Sequence, residues 1–263
     1  MINKTVLGIR THKWDANVSR AFEELSAYFS PEDIYVICDE LAGQSLMLPQ
    51  GINKISLSRE FVENSGLKSS YKGLDQEDWY NPAKHKPGWL CGDYFYYAFQ
   101  QAVDADFYWL FEADVYLTPS MRKVFFERLD SLKSDALLSY FAPANESWYW
   151  KPKMEYFEDK VYKTYFPFSR LSAKAVACCL AERRRISQRF REEKLDDVYY
   201  PNDESLVATT LAKYGLDVVD LRACFEADVF QHFSIKSTVF TSIDDELDKE
   251  CHIIHPYIGD KNS

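Results

Sequence analysis

Residues 107–118 read FYWLFEADVYLT, and the reading of this stretch decides the fold. Phe107, Tyr108, Trp109, Leu110 and Phe111 form an unbroken apolar run, the composition of a strand buried on both faces of a sheet. Two carboxylates, Glu112 and Asp114, follow at once. A buried charge is costly unless it is paired, hydrogen-bonded or bound to a metal, so the strand is expected to leave the sheet interior here. Alternation along a strand puts residues i and i+2 on one side, and both acids are therefore expected to face a single cation. The plainer alternative is an acid pair making surface hydrogen bonds at a strand end.

Working outward, strands and helices alternate. KTVLGIRTH reads as a strand and loop, followed by a helix capped by Asp15 with Val18, Phe22, Leu25 and Phe29 at helical spacing. Pro31 ends that helix, and DIYVICDE (33–40) and NKISLS (53–58) are expected strands. Residues 67–88 read as a long loop, and WLCGDYFYYAFQQAVD as the helix that feeds FYWLF. A helix over about Ser120–Ser134, with Pro119 at its start, and the strand ALLSYF follow. The aromatic stretch 144–168 looks irregular. After it come a helix capped by Ser172, a second helix within YPNDESLVATTLAKYGL that stops at Gly215, and the short strand VVDL. This order predicts an α/β fold, a three-layer α/β/α domain around a mostly parallel sheet. Ligands of such sheets bind beyond the carboxyl ends of the strands, where Arg10 and His12, Asp39 and Glu40, and Glu112 and Asp114 all fall.

At 263 residues the chain suffices for one large α/β domain or two small ones. A net charge of −10 argues against a nucleic-acid binder that works by neutralising phosphates. Arg183, Arg184, Arg185, Arg189 and Arg191 share one expected helix, as a solvated face or as a contact for an anionic membrane surface or acceptor. The six cysteines have no regular spacing and read as free thiols of a reducing compartment. The N-terminal apolar run is too short for a signal peptide, and no stretch approaches the ~20 apolar residues of a membrane span, so the expected location is cytoplasmic. Cys251, His252 and His255 hint at zinc but lack a clear fourth ligand. With only nine glycines and no Gly-x-Gly-x-x-Gly, Walker or Gly-x-Ser-x-Gly pattern, dehydrogenase, P-loop and hydrolase-elbow chemistries are disfavoured.

A hydrophobic strand running into an acid-x-acid motif after an N-terminal α/β half resembles the GT-A-type glycosyltransferases, with Glu112-Ala113-Asp114 as a variant of their Asp-x-Asp motif. The resemblance implies a single domain over 1–263: a nucleotide-sugar-binding half (1–118), then an acceptor-binding half with the C-terminal tail (119–263). It implies a divalent metal, Mn²⁺ or Mg²⁺, held by Asp114, with Glu112 and a C-terminal His, here His255. It makes Asp203 or Glu204 the general base, although Asp203 or Ser205 would serve equally as a plain helix cap. Donor contacts fall on Arg10, Asp39, Lys84, Asp93, Glu112 and Lys261. Trp148 and Trp150 offer an acceptor platform, for which a packed flap is the plainer alternative. The implied partners are a nucleotide-sugar donor and a glycan or lipid-linked acceptor of lipopolysaccharide or capsule type, with no nucleic acid. Two other readings fit the same acids: a metal-dependent phosphoryl or nucleotidyl transferase or hydrolase, and a non-catalytic glycan-binding protein of the same fold.

Overall fold

The computed structural model describes residues 3–69, 90–196, 199–234 and 238–259. The chain forms β1 (Thr5–Thr11), α1 (Ala16–Leu25), β2 (Ile34–Glu40), β3 (Asn53–Ser58), α2 (Arg59–Asn64), α3 (Asp93–Ala102) and β4 (Phe107–Glu112). It continues through β5 (Tyr116–Leu117), α4 (Pro119–Leu129), β6 (Ala136–Pro143), α5 (Lys151–Glu155) and β7 (Tyr162–Ser172). The last elements are α6 (Ala173–Glu192), α7 (Asp203–Lys213), β8 (Val218–Asp220) and β9 (Ile253–Ile254). The main sheet has seven strands in the order β3-β2-β1-β4-β7-β6-β8. Its β3-β2-β1-β4 half is parallel throughout; β7 runs antiparallel to both of its neighbours, and β8 pairs parallel with β6.

Period-2 alternation divides the apolar residues between the two faces of the sheet. On β4, Tyr108 and Leu110 join a core with α3, α6 and α7, whereas Trp109 and Phe111 join the opposite core with α1 and α4. Strands buried on both sides read as continuous apolar runs, and FYWLF is such a run. The result is the expected α/β/α layering, a mixed α/β architecture.

The caps at Asp15 and Ser172 form as the sequence predicts, each side chain accepting from main-chain N–H groups of the first turn. Two elements differ from expectation. FYWLFEADVYLT is not one strand: β4 stops at Glu112, Ala113 and Asp114 form a turn closed by Val115 N–H on Glu112 O (3.2 Å), and β5 pairs with β9. The stretch expected to be irregular contains most of β7, an interior strand of 11 residues. Pro167 hid it, because a proline has no N–H for a sheet ladder. Here it is tolerated because the β4 pairing ends at Phe168 and the β6 register is irregular between Leu137 and Ser139.

Candidate active site

β1, β2 and β4 all point their carboxyl ends at one cavity of about 610 Å³. Its walls include Arg10, Asp39, Glu112, Asp114, Asp203, Glu204 and His255 from five separate segments of the chain. Arg10 and Glu112 are register partners on adjacent strands, so their side chains leave the sheet together. They form an ion pair, with Arg10 donating through Nη2 to Glu112 Oε1.

The Glu112–Asp114 geometry arises from the turn, not from strand alternation. Arg20 of α1 donates to Ala113 O at 2.9 Å, and its guanidinium lies over the rings of Tyr116 (5.2 Å) and Tyr257 (4.7 Å). From the other side, Tyr257 N–H donates to Asp114 O at 2.8 Å. The β5–β9 pairing thus brings the C-terminal segment, and His255 with it, across the turn. His255 Nε2 lies 3.2 Å from Glu112 Oε2 and 3.5 Å from Asp114 Oδ1. Its Nδ1 is 2.7 Å from the Tyr165 hydroxyl, which fixes the ring.

Glu112, Asp114 and His255 each offer one ligand atom, all within 4.8 Å of one another, and they form the metal-capable group found among the described residues. Two carboxylate oxygens and an imidazole nitrogen are a donor set that could hold a divalent ion. Cys251 and His252 take no part: His252 Nε2 pairs with Glu250 at 2.8 Å and its Nδ1 faces Asp228 O at 3.2 Å, which removes the zinc reading. Glu112 and His255 each favour the charged form of the other. Burial pushes the Glu112 carboxyl up, but the Arg10 charge and His255 overcome it and hold it at about 2. Burial pulls the His255 imidazolium down, but hydrogen bonds to Asp114 and Glu112 more than offset this and raise it to about 9.

A pH dependence follows for the metal-free protein. The folded-state value of His255 lies above its ordinary one, so its stabilisation is complete below about pH 6.5 and is lost as pH rises through about 9. Thermal melts of the wild type and His255→Asn should therefore converge between pH 6.5 and 9, and a gap that widens with pH would refute the assignment. Tyr165→Phe, which removes the group that orients the imidazole, is expected to weaken Mn²⁺ binding about tenfold, as read by calorimetry.

The second acidic pair stands at the start of α7. Asn202, not Asp203 or Ser205, is the cap: its Oδ1 accepts from Ser205 N–H at 3.1 Å. The cap role thus falls outside the acidic pair. Asp203 Oδ2 accepts from Gly92 N–H at 3.0 Å, and its Oδ1 accepts from Glu204 N–H at 2.8 Å. Arg10 Nη1 approaches Asp203 Oδ2 at 3.5 Å, so one guanidinium bridges the two acidic groups. That Nη1 is buried without a hydrogen-bond partner. Burial pushes the Asp203 carboxyl up, to about 7, against the pull of Arg10. Burial and the Asp203 charge push Glu204 up to about 8.

The remaining expectations divide. Asp39 lines the cavity, one oxygen accepting from Leu41 N–H at 3.1 Å. Glu40 turns away, to Lys54, Ser56 and the Leu46 N–H. Trp150 lines the cavity, with Lys153 Nζ 4.7 Å from the centre of its ring, but Trp148 packs against the core shared by α3, α6 and α7. Asp93, an expected donor contact, is fully buried in an ion pair with Arg183 (2.7 Å) and is not among the residues that line the cavity. Lys84 and Lys261 lie outside the described residues. The arginine-rich helix is largely spent on its own chain: Arg184 donates to Ser65 O, Arg191 to Gly66 O, Arg189 to Glu193, and Arg185 to Glu158 and Glu182. No helix among the described residues is long and apolar enough to cross a membrane. Sequence reasoning missed Tyr165 and Phe166, since they sit in the stretch that looked irregular and belong to no motif.

No family model matches this chain, and no curated protein matches it. Among solved structures it is similar to a glycosyltransferase involved in the glycosylation of the major capsid of PBCV-1, with 12% identity over 95% of this chain and 92% of that one and a TM-score of 0.38.

Proposed function

We propose that the protein is a metal-dependent glycosyltransferase that moves a sugar from a nucleotide-sugar to a hydroxyl of a glycan acceptor. The observation that carries this reading is one cavity lined both by a carboxylate–carboxylate–imidazole triad and by a second acidic pair with raised proton affinity. Metal-assisted sugar transfer with inversion uses both halves. A leaving diphosphate needs positive charge, and an attacking hydroxyl needs a base within hydrogen-bond reach.

Glu112, Asp114 and His255 would hold the ion, Mn²⁺ or Mg²⁺. When bound, it supplies charge that neutralises the diphosphate as it leaves. Arg10 and Asp39 line the donor side, and Trp150 offers the acceptor a flat aromatic face. Of the two acids, Glu204 is the better base. Asp203 is committed to two main-chain N–H groups and to the Arg10 charge. Glu204 accepts from amides, Asn202 Nδ2 at 3.4 Å and the Phe166 backbone, and among the described residues no ion pair ties up its charge. The acceptor class we favour is a surface glycan of lipopolysaccharide or capsule type.

Incubation with Mn²⁺ and a panel of nucleotide-sugars tests the reading through release of nucleoside diphosphate, with and without glycan acceptors. Acceptor-stimulated release is expected. Silence across the panel, with no thermal shift from any nucleotide, would overturn it. Release of monophosphate or pyrophosphate would move the assignment to phosphoryl or nucleotidyl chemistry.

A further inference from the structure

Beneath the acidic pair lies a second, buried layer of charge. Arg183 of α6 and Asp93 of α3 are both buried and joined by two hydrogen bonds, Nε to Oδ2 at 2.8 Å and Nη2 to Oδ1 at 2.7 Å. The third nitrogen, Nη1, donates to Pro201 O at 2.7 Å, two residues before Asp203. Asp93 directly follows Gly92, whose N–H holds Asp203 Oδ2. Tyr97 donates to Asp93 Oδ2 at 2.7 Å, and the rings of Tyr200 and Tyr94 lie 5.1 and 5.6 Å from the guanidinium.

From this arrangement, and resting on the transferase reading above, we infer that Arg183 and Asp93 are positioning residues: their forked ion pair clamps the start of α3 to the turn before α7, and so sets where Asp203 and Glu204 stand. A buried ion pair is a poor stability device, since apolar residues of similar volume do as well or better. A planar fork that binds one carboxylate with two nitrogens and a carbonyl with the third instead fixes three elements in one plane. Lysine, a point charge on a flexible stem, cannot hold Asp93 and Pro201 O in that geometry.

The test uses Asp93→Asn/Arg183→Met, which removes both charges together, and Arg183→Lys, which keeps the charge and loses the fork. The amide resonance of Gly92 reports the Asp203 contact directly, whatever reaction the protein performs. Both variants are expected to move the Gly92 amide resonance from its wild-type position while binding Mn²⁺ and nucleoside diphosphate as the wild type does. Turnover of the donor should fall roughly tenfold or more through kcat, with KM little changed. If the double variant fails to fold, Arg183→Lys carries the same readouts. An unchanged Gly92 amide, or kcat within twofold of wild type, overturns the inference. A shifted amide in a protein that turns over no nucleotide-sugar would sustain the clamp and sink the transferase reading.

Discussion

Glu204→Gln is expected to lower kcat for sugar transfer by about 10³-fold while leaving Mn²⁺ and nucleotide binding at wild-type strength. The amide keeps the shape of the carboxylate, so the contacts with Asn202 and the Phe166 backbone have a similar partner to meet. What it removes is the capacity to take a proton. Because a base acts only as the new bond forms, the loss belongs in kcat and not in donor affinity. Asp203→Asn is the matched control. It should cost less turnover but disturb the site more, since Asp203 anchors to Gly92 N–H and balances Arg10. A loss of less than tenfold in Glu204→Gln would remove it as the base; a deeper loss in Asp203→Asn would transfer the role.

How the site assembles explains what the sequence could and could not announce. The parallel half of the sheet is local information: apolar runs and the cap at Asp15 mark elements that start where they are expected, although α1 ends at Leu25, short of Phe29 and Pro31. The same runs place Arg10, Asp39 and Glu112 at strand ends, and hence at one edge of the sheet. The antiparallel half is long-range information. β7 carries a proline that breaks the strand pattern, and only its position beside an irregular β6 register makes it permissible. Tyr165 and Phe166 were lost with it.

The acid-x-acid motif shows the same division. Its residues were legible, but the reason they converge was not: a turn held by Arg20 and Tyr257 replaces the expected alternation, and both partners are distant in the chain. Asp93 shows the converse case. An acid at a helix start beside an expected site invites a ligand role, and nothing local reveals that Arg183 pairs with it from ninety residues away.

Gly92→Ala is the substitution whose sign is most informative. Gly92 has φ −58° and ψ −19°, ordinary right-handed helical values that alanine adopts without strain. If the glycine served only backbone freedom, alanine would stabilise the protein by about 0.4–1 kcal/mol, by restricting the unfolded chain. The surroundings say otherwise. A Cβ at this position would stand 1.7 Å from Arg10 Nη1 and 2.3 Å from Asp203 Oδ2, distances no real contact permits. Neither neighbour is a loose surface group. Arg10 is tied to Glu112 at its other nitrogen and lies against the rings of Phe95 and Phe166, and Asp203 is buried at the head of α7. The methyl must therefore push apart the bridge that joins the metal-capable triad to the acidic pair. The expected cost is about 1–3 kcal/mol of stability from overpacking, and roughly 100-fold in turnover, the scale of a displacement near 1 Å at reacting groups. Thermal melts and donor turnover check the two effects separately. A stabilised and active Gly92→Ala protein would show that Arg10 and Asp203 need not approach each other over this residue, and the bridge between the two acidic groups would have to be abandoned as a working part of the site.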